Sequence, residues 1–464
     1  MKTLIYNLLA LMTVVIGCVS CIEDSVATSP SVQPVFSVDT LKMGLNFTEQ
    51  GTPTQSFVVY NRHDKILNID NISLRSGDRT FRINVDGFSG TSFSNVEIRP
   101  NDSIYVFVEA TLPELNTPAA TDIEDFIDFT TRGITRSLVV TATGRDALRH
   151  RATVITSDVT WDATLPHIIY DSLVVAHGAT LTLAPGTELY FHDAARMDIR
   201  GCLISNGTAE NPVNLTGDRI DNVVGNISFD LMASQWKGLT FMPESRGNYL
   251  SHTIVRNTVS GVLVDSLAQA DFVNCRLRNS AGRSLTTWHA EVTLAGCEIA
   301  EASAGLALFH GGKVRADHCT FANYYLFSVL SGPALGFSHA DDDTDDLSGL
   351  PRLSALITNS IIYGNGQDLS HGDLTGMDVT LNRCILKSEG EDDDNFISCL
   401  WDTDPLYYTV RSEYLFDYRV KPESPAIDAD DPALLLPATA LDFYGVTRTG
   451  TIGAYEFVAP EEKE

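Results

Sequence analysis

A four-residue pattern recurs six times along the sequence: Ser251-His252-Thr253-Ile254, Asn274-Cys275-Arg276-Leu277, Gly296-Cys297-Glu298-Ile299, His318-Cys319-Thr320-Phe321, Asn359-Ser360-Ile361-Ile362 and Arg383-Cys384-Ile385-Leu386. The second positions of these segments are separated by 23, 22, 22, 41 and 24 residues. The step of 41 residues fits one repeat plus an insertion of about 19 residues. A constant period in the low twenties, with one small structural unit per repeat, predicts a solenoid.

The residues between these segments indicate which solenoid it is. Each repeat carries β-branched and aromatic residues separated by Gly, Asn or Ser, with no helical period and no leucine-rich-repeat frame. This pattern resembles the right-handed parallel β-helix of the pectate-lyase-like superfamily. The resemblance spans Trp161 to Trp401 and implies roughly ten coils in a rod of about 50 Å. The fold does not identify an activity, because it is compatible with lyases, hydrolases, adhesins and spacers.

The region before the repeats has a different sequence pattern. Short alternating segments such as Ser56–Tyr60, Phe81–Val85 and Ile104–Val108 are separated by turn-forming residues. About seven such segments predict an antiparallel β-sandwich, which is Ig-like in architecture only because no Cys…Trp…Cys pattern is present. We expect this region to act as a stalk or spacer.

The predicted organisation is therefore all-β, with an Ig-like sandwich followed by a right-handed parallel β-helix and a capping segment. Its parts are a signal peptide at 1–21, a tether at 22–34, a β-sandwich at 35–150, a β-helix at 151–400 and a C-terminal capping tail at 401–464. The tether is predicted from its small, polar and Pro-containing composition.

The first residues predict export and lipidation. A mostly apolar run ending at Ile16 is too short to span a bilayer and fits the core of a secretory signal. It is followed by Gly17-Cys18 and Ser20-Cys21, which resemble the lipobox of bacterial lipoproteins. Cys21 is the preferred lipidation site and Cys18 the alternative; an ordinary signal peptide would leave both cysteines incidental. Acidic residues directly after Cys21 resemble a surface-export signal, so we expect a lipid-anchored protein exposed on the outer membrane.

The C-terminal residues resemble the tail of secreted bacterial β-helix proteins. The similarity lies in three stretches: Ser424-Pro425-Ala426-Ile427-Asp428-Ala429, Asp442-Phe443-Tyr444-Gly445-Val446-Thr447-Arg448 and Ile452-Gly453-Ala454-Tyr455-Glu456. Asp430 departs from the common form, which has Gly at that position. We expect the tail to cap the solenoid and Asp442 to form a structural ion pair with Arg448, because solenoids protect their open strand edges.

The overall charge excludes one class of partner. The 464 residues include 32 basic and 60 acidic residues, which gives a formal net charge of −28. No basic stripe of the kind that nucleic acids require is present. A surface this acidic also repels anionic lipids and acidic polymers, so the lipid anchor is the only expected membrane attachment.

Four cysteines fall at the same repeat position: Cys275, Cys297, Cys319 and Cys384. An even set in an exported protein usually suggests disulfides. Residues at equivalent positions of stacked coils point in parallel directions, however, whereas a disulfide needs its two Cβ atoms to face each other. We therefore expect buried free thiols.

An acidic insertion interrupts the repeats and is a candidate calcium site, because clustered carboxylates supply the oxygen ligands that Ca²⁺ prefers. The candidate ligands are Asp341, Asp342, Asp343 and Asp345. The alternative is a solvated loop, since consecutive aspartates point in different directions and the spacing is not that of an EF-hand.

The repeats also carry groups that a lyase or glycoside hydrolase could use. Candidate bases are Arg276, Arg278, Arg283, Lys313 and Arg315, and candidate acids are Asp265, Asp271, Glu298 and Asp317. No nucleotide-binding, serine-hydrolase or zinc-peptidase motif accompanies them. Since solvated charges on coils explain these residues equally well, catalysis is the second hypothesis and no catalytic residue is assigned.

The first hypothesis is a non-catalytic β-helix that presents an extended surface to a polysaccharide, or to an envelope or host protein. Aromatic and imidazole groups near predicted coil corners are the candidate ligand-binding residues: Trp288, His289, His310 and Tyr324. The alternative interpretation is partly buried plugs for Trp288 and Tyr324, and ordinary surface or capped histidines for His289 and His310. The sequence does not select a ligand or an oligomeric state.

Overall fold

The computed structural model describes residues 25–77, 79–225, 227–338, 349–370, 374 and 377–459. The chain divides into two compact units at the boundary between Asp146 and Ala147. The first unit contains two antiparallel-rich sheets and the second contains long parallel sheets. The predicted all-β class, with a sandwich followed by a β-helix solenoid, is confirmed.

The first unit is a sandwich of ten strands: β1 (Val35–Phe36), β2 (Thr40–Phe47), β3 (Gln55–Tyr60), β4 (Leu67–Leu74), β5 (Phe81–Val85), β6 (Phe88–Gly90), β7 (Ser92–Ile98), β8 (Ser103–Ala110), β9 (Thr121–Thr131) and β10 (Ile134–Arg145). One sheet has the order β1-β3-β8-β5-β6 and the other β2-β10-β9-β4-β7. Neighbouring strands are antiparallel except β10 and β2, which pair in parallel. The core lies between the two sheets, where alternate residues of each strand point inward.

The second unit winds through 28 strands of the 38 in the described chain: β11 (Leu148–Ile155), β12 (Val159–Trp161), β13 (His167–Val175), β14 (Thr180–Leu183), β15 (Glu188–Phe191), β16 (Arg196–Ile199), β17 (Cys202–Asn206), β18 (Val213–Gly217), β19 (Asn222–Val224), β20 (Ile227–Ser228), β21 (Gly238–Phe241), β22 (Asn248–Ser251), β23 (Thr253–Thr258), β24 (Val262–Val264), β25 (Gln269–Val273), β26 (Arg276–Ser280), β27 (Leu285–Trp288), β28 (Glu291–Ala295), β29 (Glu298–Ala302), β30 (Ala307–His310), β31 (Lys313–Asp317), β32 (Thr320–Asn323), β33 (Leu335–Ser338), β34 (Ser354–Thr358), β35 (Ile361–Gly364), β36 (Asp378–Asn382), β37 (Ile385–Leu386) and β38 (Phe396–Ile397).

These strands form three parallel faces that repeat along the solenoid. Sheet 1 has ten strands in the order β12-β14-β17-β22-β25-β28-β31-β34-β36-β38. Sheet 2 runs from the first half of β13 through β15-β18-β23-β26-β29-β32-β35-β37, and sheet 3 from its second half through β16-β21-β24-β27-β30-β33. Sheets 2 and 3 meet in β13, which bends at Asp171 (φ 65°). The ten strands of sheet 1 agree with the roughly ten coils predicted.

A single residue with positive φ forms each corner between sheets 1 and 2: His252 (41°), Asn274 (50°), Gly296 (65°), His318 (48°), Asn359 (47°) and Arg383 (58°). This geometry corrects one register of the sequence alignment. Ile254 pairs with Arg276, so Thr253 is the equivalent of Cys275 and the first step is 22 residues, not 23. The corner conformation is left-handed, which explains why Asn and Gly recur there.

The repeat cysteines form an interior ladder of free thiols. Cys275, Cys297, Cys319 and Cys384 are buried and unbridged. Each thiol donates to a backbone carbonyl of the preceding coil; the Cys297 thiol, for example, bonds the carbonyl oxygen of Phe272 at 3.4 Å. Burial raises the pKa of the Cys297, Cys319 and Cys384 thiols well above the ordinary value. These thiols therefore act as small core residues, as predicted.

The tail, here residues 401–459, contains three 3-10 turns at Arg411–Glu413, Pro432–Leu434 and Pro437–Thr439. It lies along the outer face of sheet 2 in the later coils, whereas the sequence predicted a cap over the solenoid. The reason is that this face carries apolar side chains as well as charged ones, and the tail covers both. The coil residues in the buried cluster are Ala300, Ala322, Ile361 and Ile385, and the tail residues include Tyr418, Val420, Phe443, Ile452 and Tyr455.

Candidate functional site

Charged side chains on the outer face of sheet 2 are buried where the tail crosses them. Arg278 Nη2 lies 2.6 Å from Glu298 Oε2, and the hydroxyl of Tyr455 donates to the same carboxylate. Burial alone would raise the pKa of Glu298, but the Arg278 guanidinium holds it below the ordinary value. Both charged residues were candidates for catalysis. The structure places them instead in a buried contact that fixes the tail to the coils.

Asp317 has the same role one coil further on. Its Oδ2 accepts hydrogen bonds from the backbone N–H of Leu436 and the hydroxyl of Thr439, both at 2.8 Å, and its Oδ1 accepts one from Thr358 at 2.8 Å. Burial opposes ionisation, yet His318 and these hydrogen bonds lower the pKa of Asp317 to about 2. A carboxylate that is fully enclosed by the tail is structural rather than catalytic.

Arg276 joins the buried contact of Arg278 and Glu298, and the remaining charged candidates lie elsewhere. Arg276 donates from Nε to the Tyr455 hydroxyl at 2.8 Å, and its guanidinium carbon lies 3.7 Å from the ring centre of Phe443. The rest are spread over the coils: Asp271, Lys313 and Arg315 on the strands of sheet 1, and Asp265 and Arg283 at corners. The sequence-predicted acids and bases therefore form no shared groove.

The predicted ion pair of the tail is replaced by bonds to the backbone. Arg448 donates to the carbonyl oxygens of Thr439, Gly453 and Ala454 at 2.8–3.0 Å. The Asp442 carboxylate accepts backbone N–H groups, including that of Val446 at 2.9 Å. Both residues stabilise the tail, but through its own main chain, because the tail has no regular secondary structure to satisfy those groups.

Three of the four predicted ligand-binding residues do come together. Trp288 and His310 occupy paired positions in sheet 3, with ring centres 3.7 Å apart and planes at 11°. His289 is buried, and its Nδ1 lies 3.0 Å from the carbonyl oxygen of Pro351. His310 Nδ1 lies 2.7 Å from the Ser338 hydroxyl. Trp288 is 36% exposed, and one face of its indole ring lies against His310.

Tyr324, the fourth candidate, lies elsewhere, beneath the tail. Its ring packs near Tyr407 and Tyr418, and burial raises its pKa well above the ordinary value. Its backbone N–H donates to Glu301 Oε1 at 3.1 Å, and the Tyr418 hydroxyl donates to the same carboxylate. Burial raises the pKa of Glu301 to about 7. Tyr324 thus belongs to the interface between tail and coils.

Two predicted sites lie outside the described residues. These are the calcium candidates Asp341, Asp342, Asp343 and Asp345, and the lipidation candidates Cys21 and Cys18. Within the described ranges, no group of three or more His, Cys, Asp or Glu side chains is arranged to hold a metal ion. No helix in that part of the chain is long and apolar enough to cross a membrane.

A cleft of about 390 Å³ opens on the first coils of the solenoid, and we call it the first-coil cleft. It is lined by Arg151 of β11, by Tyr170 and Asp171 of β13, and by the segment 192–196 between β15 and β16. None of these lining residues belongs to the tail. The cleft therefore lies on a part of the strand face that differs from the covered later coils.

The side chains of the cleft form a ladder across successive coils. Arg151 pairs with Tyr170 in the sheet register. The pairs Ile169–Phe191 and Phe191–Gly217 place Tyr170 beside His192 and His192 beside Asp218. Equivalent positions on neighbouring strands are about 4.8 Å apart. The Arg151 guanidinium lies over the Tyr170 ring at 4.8 Å from its centre.

His192 and Asp218 form a close pair at the inner end of this ladder. His192 Nδ1 lies 2.6 Å from Asp218 Oδ2; the carboxylate side chain is 5% exposed and the imidazole 46%. A buried carboxylate that binds Nδ1 places the imidazole proton on that nitrogen. The other nitrogen, Nε2, then carries the lone pair, which is the arrangement of an oriented base.

Charged groups also line the entrance to the cleft. Asp171 and Asp193 occupy equivalent corner positions on adjacent coils, both with positive φ. Arg151 Nη1 lies 3.1 Å from Asp171 Oδ2, and Arg196 Nε lies 3.0 Å from Asp198 Oδ2. The cleft thus combines hydrogen-bond donors and acceptors whose charges are largely balanced, which suits a ligand rich in hydroxyl groups.

Sequence reasoning missed this site for an identifiable reason. The recurring pattern was aligned from residue 251 onward, and the ladder lies before it. The ladder spacings of 19, 22 and 26 residues, from Arg151 to Tyr170, His192 and Asp218, are less regular than those of the later coils. Extending the period toward the N-terminus with allowance for uneven corners would have aligned these four polar residues.

Comparisons with known proteins add no family. The chain matches no protein-family model and no curated protein. Among solved structures, it is similar to a family 123 glycoside hydrolase from Clostridium perfringens, described for its hydrolysis of glycolipid glycans, with 10% sequence identity and a TM-score of 0.19. The similarity covers 26% of each chain, a level that supports no argument about this fold or activity. Membership of the pectate-lyase-like superfamily stays a prediction, whereas the long parallel sheets are observed.

Proposed function

We propose that the protein is a lipid-anchored bacterial surface protein that binds a polysaccharide in the first-coil cleft of its β-helix. The observation that carries this proposal is the ladder of Arg151, Tyr170 and His192 inside an open concavity. Elsewhere on the same strand face, comparable charged residues are sealed under the tail.

A polysaccharide suits the ladder because both are repetitive. Successive coils present a polar side chain at each step of about 4.8 Å, so a chain of sugars can make similar hydrogen bonds to several coils. Hydrogen bonds that involve a charged group contribute about 1.5–3 kcal/mol each when they are well formed. Several such contacts give useful affinity without a deep pocket.

The charge distribution favours a neutral glycan over an acidic one. The chain carries a net charge of −28, which disfavours the approach of a polyanion. Both guanidinium groups at the cleft, those of Arg151 and Arg196, already pair with aspartates. They remain able to donate to sugar hydroxyls, but little positive charge is left for a uronate.

The location at the outer membrane rests on the sequence alone. Gly17-Cys18 and Ser20-Cys21 follow an apolar run in the manner of a lipobox, with Cys21 preferred. Fractionation of the producing cell tests this part: Cys21→Ala should move the protein from the membrane to the soluble fraction. If only Cys18→Ala has that effect, the lipid is on Cys18; if neither substitution does, the anchor proposal is wrong.

The binding proposal is tested by affinity electrophoresis of the full chain in gels that contain neutral or uronic polysaccharides. We expect retardation by at least one neutral polymer, and retention weakened on the order of tenfold in the double variant Arg151→Ala/His192→Ala. The matched control is Arg315→Ala/His177→Ala, which removes the same residue types from exposed positions on other parts of the coils. Retention that is equal in both variants would place binding elsewhere, and no retention by any polymer would leave an envelope or host protein as the partner.

A second candidate function, cleavage of the bound glycan, is favoured by the His192–Asp218 pair. In a hydrolase, the Nε2 lone pair of His192 would take a proton from water as the water oxygen bonds the anomeric carbon, the glycosidic C–O bond would break, and the departing sugar oxygen would take a proton from solvent. In a lyase, Nε2 would instead take the proton next to a uronate carboxyl, a C=C bond would form, and the glycosidic oxygen would leave and take a proton from solvent. In both cases Asp218 would hold the imidazole ring in place. Reducing ends would reveal a hydrolase, and ultraviolet absorbance of an unsaturated product would reveal a lyase. His192→Ala should abolish turnover, and absence of both products for every retained polymer would leave binding alone.

A further inference from the structure

The first unit exposes aromatic rings that no part of the proposed β-helix function uses. Phe88, Tyr105 and Phe107 are 74%, 54% and 40% exposed, although phenylalanine is usually buried. All three belong to the sheet β1-β3-β8-β5-β6 of the sandwich. Contiguous exposed apolar groups on a folded surface usually mark a binding site.

The alternation of β8 explains why two of the rings share a face. Ile104, Val106 and Val108 point into the core, so Tyr105 and Phe107 point outward. Their ring centres are 6.1 Å apart and their planes differ by 21°. Two nearly parallel, exposed rings on a central strand form an apolar patch, which we call the platform.

Polar groups on the neighbouring strands surround this platform. Phe107 pairs across the sheet with Ser56 on one side and Asn84 on the other. Asn84 Nδ2 lies 3.1 Å from the Ser89 hydroxyl. Hydrogen-bonding groups therefore stand beside the platform ring on both flanks.

One more row of polar groups crosses the same face. Arg82 and Glu109 are paired across β5 and β8, with Arg82 Nη2 3.8 Å from Glu109 Oε2. The Thr54 hydroxyl donates to Glu109 Oε1 at 2.6 Å. These groups and Phe107 line a cleft of about 670 Å³ on the outside of the sandwich. Its charges cancel within the cleft.

A tight hairpin completes the cleft. Asp86 and Gly87 both have positive φ, at 50° and 89°, and join β5 to β6. This two-residue connection matches the type I′ geometry favoured in hairpins. The hairpin holds Phe88 at the start of β6, where it is the most exposed ring of the three. The cleft is thus made of paired strands rather than of a flexible loop.

We propose that this face of the sandwich is a second glycan-binding site, specific for neutral polysaccharides. A pyranose ring has an apolar face of C–H groups and a rim of hydroxyls. The rings of Tyr105 and Phe107 can pack against the C–H face of the sugar. The polar side chains of Arg82, Asn84 and Glu109 can form hydrogen bonds with its hydroxyls. A protein partner fits less well, since two rings flanked by polar groups fall short of the apolar centre typical of stable protein interfaces. This site is independent of the first-coil cleft, and it replaces the expected spacer role of the sandwich.

The test is affinity electrophoresis of the full chain with a neutral β-glucan, mannan and xylan. We expect the double variant Tyr105→Ala/Phe107→Ala to bind at least one of these polymers on the order of tenfold more weakly than the parent. Tyr105→Phe/Phe107→Tyr keeps both rings and should stay within about twofold of the parent. Tyr249→Ala, which removes a ring 39% exposed on sheet 1, is the matched control and should have no effect.

Unchanged retention of Tyr105→Ala/Phe107→Ala would overturn the proposal, as would a parent protein that none of the three polymers retards. A change in the oligomeric state of this variant, with unchanged retention, would identify the face as a contact between two copies of the chain and would also overturn it. The outcome is separable from that for the first-coil cleft, because Arg151→Ala/His192→Ala leaves the platform intact. Each pair of substitutions removes its own share of retention if both sites bind.

Discussion

The outside of the solenoid carries charged residues in both the early and the later coils, but the two regions use them differently. In the later coils, Glu298 and Asp317 are buried under the tail and bonded to it. In the first coils, His192 is 46% exposed and lines an open cleft. Both regions are built from paired parallel strands, so the presence or absence of the tail decides whether a charged residue is structural or available to a ligand.

The comparison also explains why the tail is attached through ionised groups. An apolar segment would be enough to cover Ala300 and Ala322. Arg278 and Glu298 are charged, however, so once the tail buries them they need each other and the Tyr455 hydroxyl as hydrogen-bond partners. Unpaired buried charges are very costly. The charged residues thus specify where the tail docks. The following predictions test the contrast between covered and open regions.

The largest effect is expected from Glu298→Ala, which leaves the Arg278 guanidinium buried without its partner. Removing one member of a buried pair costs about 3–5 kcal/mol, so the unfolding transition of the second unit should fall by several degrees or more. The matched substitution in the open region is Asp171→Ala, which should cost at most about 1 kcal/mol for the lost exposed partner of Arg151. Placing Ala at φ 65° should add about 1 kcal/mol of backbone cost. Chemical denaturation followed by tyrosine and tryptophan fluorescence measures both.

Equal and small losses for Glu298→Ala and Asp171→Ala would show that the tail does not enclose the Arg278–Glu298 pair. Limited proteolysis adds an independent reading: the tail of Glu298→Ala should be cleaved faster than that of the parent.

A smaller effect is expected at a corner beneath the tail. Gly296 has φ 65°, and a Cβ there would lie 2.2 Å from Asn274 Oδ1, whose side-chain Nδ2 donates to Leu441 and Asp442 of the tail. Gly296→Ala should therefore lower the free energy of unfolding by about 1–2 kcal/mol because Ala disfavours the left-handed conformation, and by about 1–3 kcal/mol more because of the clash. Gly133→Ala, with φ 77° and nothing near its Cβ, is the control and should show the first cost alone. Thermal unfolding of both variants gives the difference, and identical costs would exclude the clash.

The next prediction concerns pH. The pKa of Glu301 is about 7 in the fold and near its ordinary 4.5 when unfolded. Because the pKa is raised in the fold, the folded protein binds this proton more tightly than the unfolded chain does. The contribution of Glu301 to the free energy of unfolding is therefore complete below about pH 4.5 and is lost as the pH rises through 7, at up to about 1.4 kcal/mol per pH unit. Glu301→Gln should remove this alkaline loss, as measured by denaturation at pH 5 and pH 8.

Asp317 titrates with the opposite sign and serves as the contrast. Its pKa is about 2 in the fold against an ordinary 3.8, so its contribution is present above pH 3.8 and is lost as the pH falls to 2. Glu301→Gln should leave that acidic loss in place. If Glu301→Gln instead keeps the parent's dependence between pH 5 and pH 8, then Glu301 is not the group that titrates there.

The smallest effect is expected for Trp288→Ala. One face of the indole ring lies against His310, so its removal should change polysaccharide retention by less than about twofold. A loss of retention as large as that expected for Arg151→Ala/His192→Ala would show that the binding surface includes Trp288 on sheet 3. Affinity electrophoresis under the same conditions compares the two directly.

The period of the cysteine-containing pattern predicted the coils, their approximate number and the buried thiols, because every coil must pass the same corner. The alignment placed His252 one position too late in the repeat. The sequence pattern alone fits either His252 or Thr253 at the cysteine position, and only the positive φ at His252 shows that His252 is the corner residue. Short motifs record which residues recur but not which of them makes the turn.

The site was less predictable, because burial by a distant segment is invisible in the repeats. Glu298 and Asp317 looked like available acids until Tyr455 and Leu436, more than a hundred residues away, were found against them. Tyr324 is partly buried against the tail, which the repeats likewise do not reveal. The His192–Asp218 pair joins residues 26 positions apart in coils whose spacing is irregular, and only the strand register brings them together.

The most direct test of the central claim is retention of the full chain on neutral polysaccharides, compared between Arg151→Ala/His192→Ala and Arg315→Ala/His177→Ala. We predict that the first pair of substitutions weakens retention on the order of tenfold and that the second leaves it unchanged, since only the first lies in the cleft that the tail leaves open. Retention that falls equally in both variants, or in neither, would contradict the assignment of the first-coil cleft as the glycan-binding site of the β-helix.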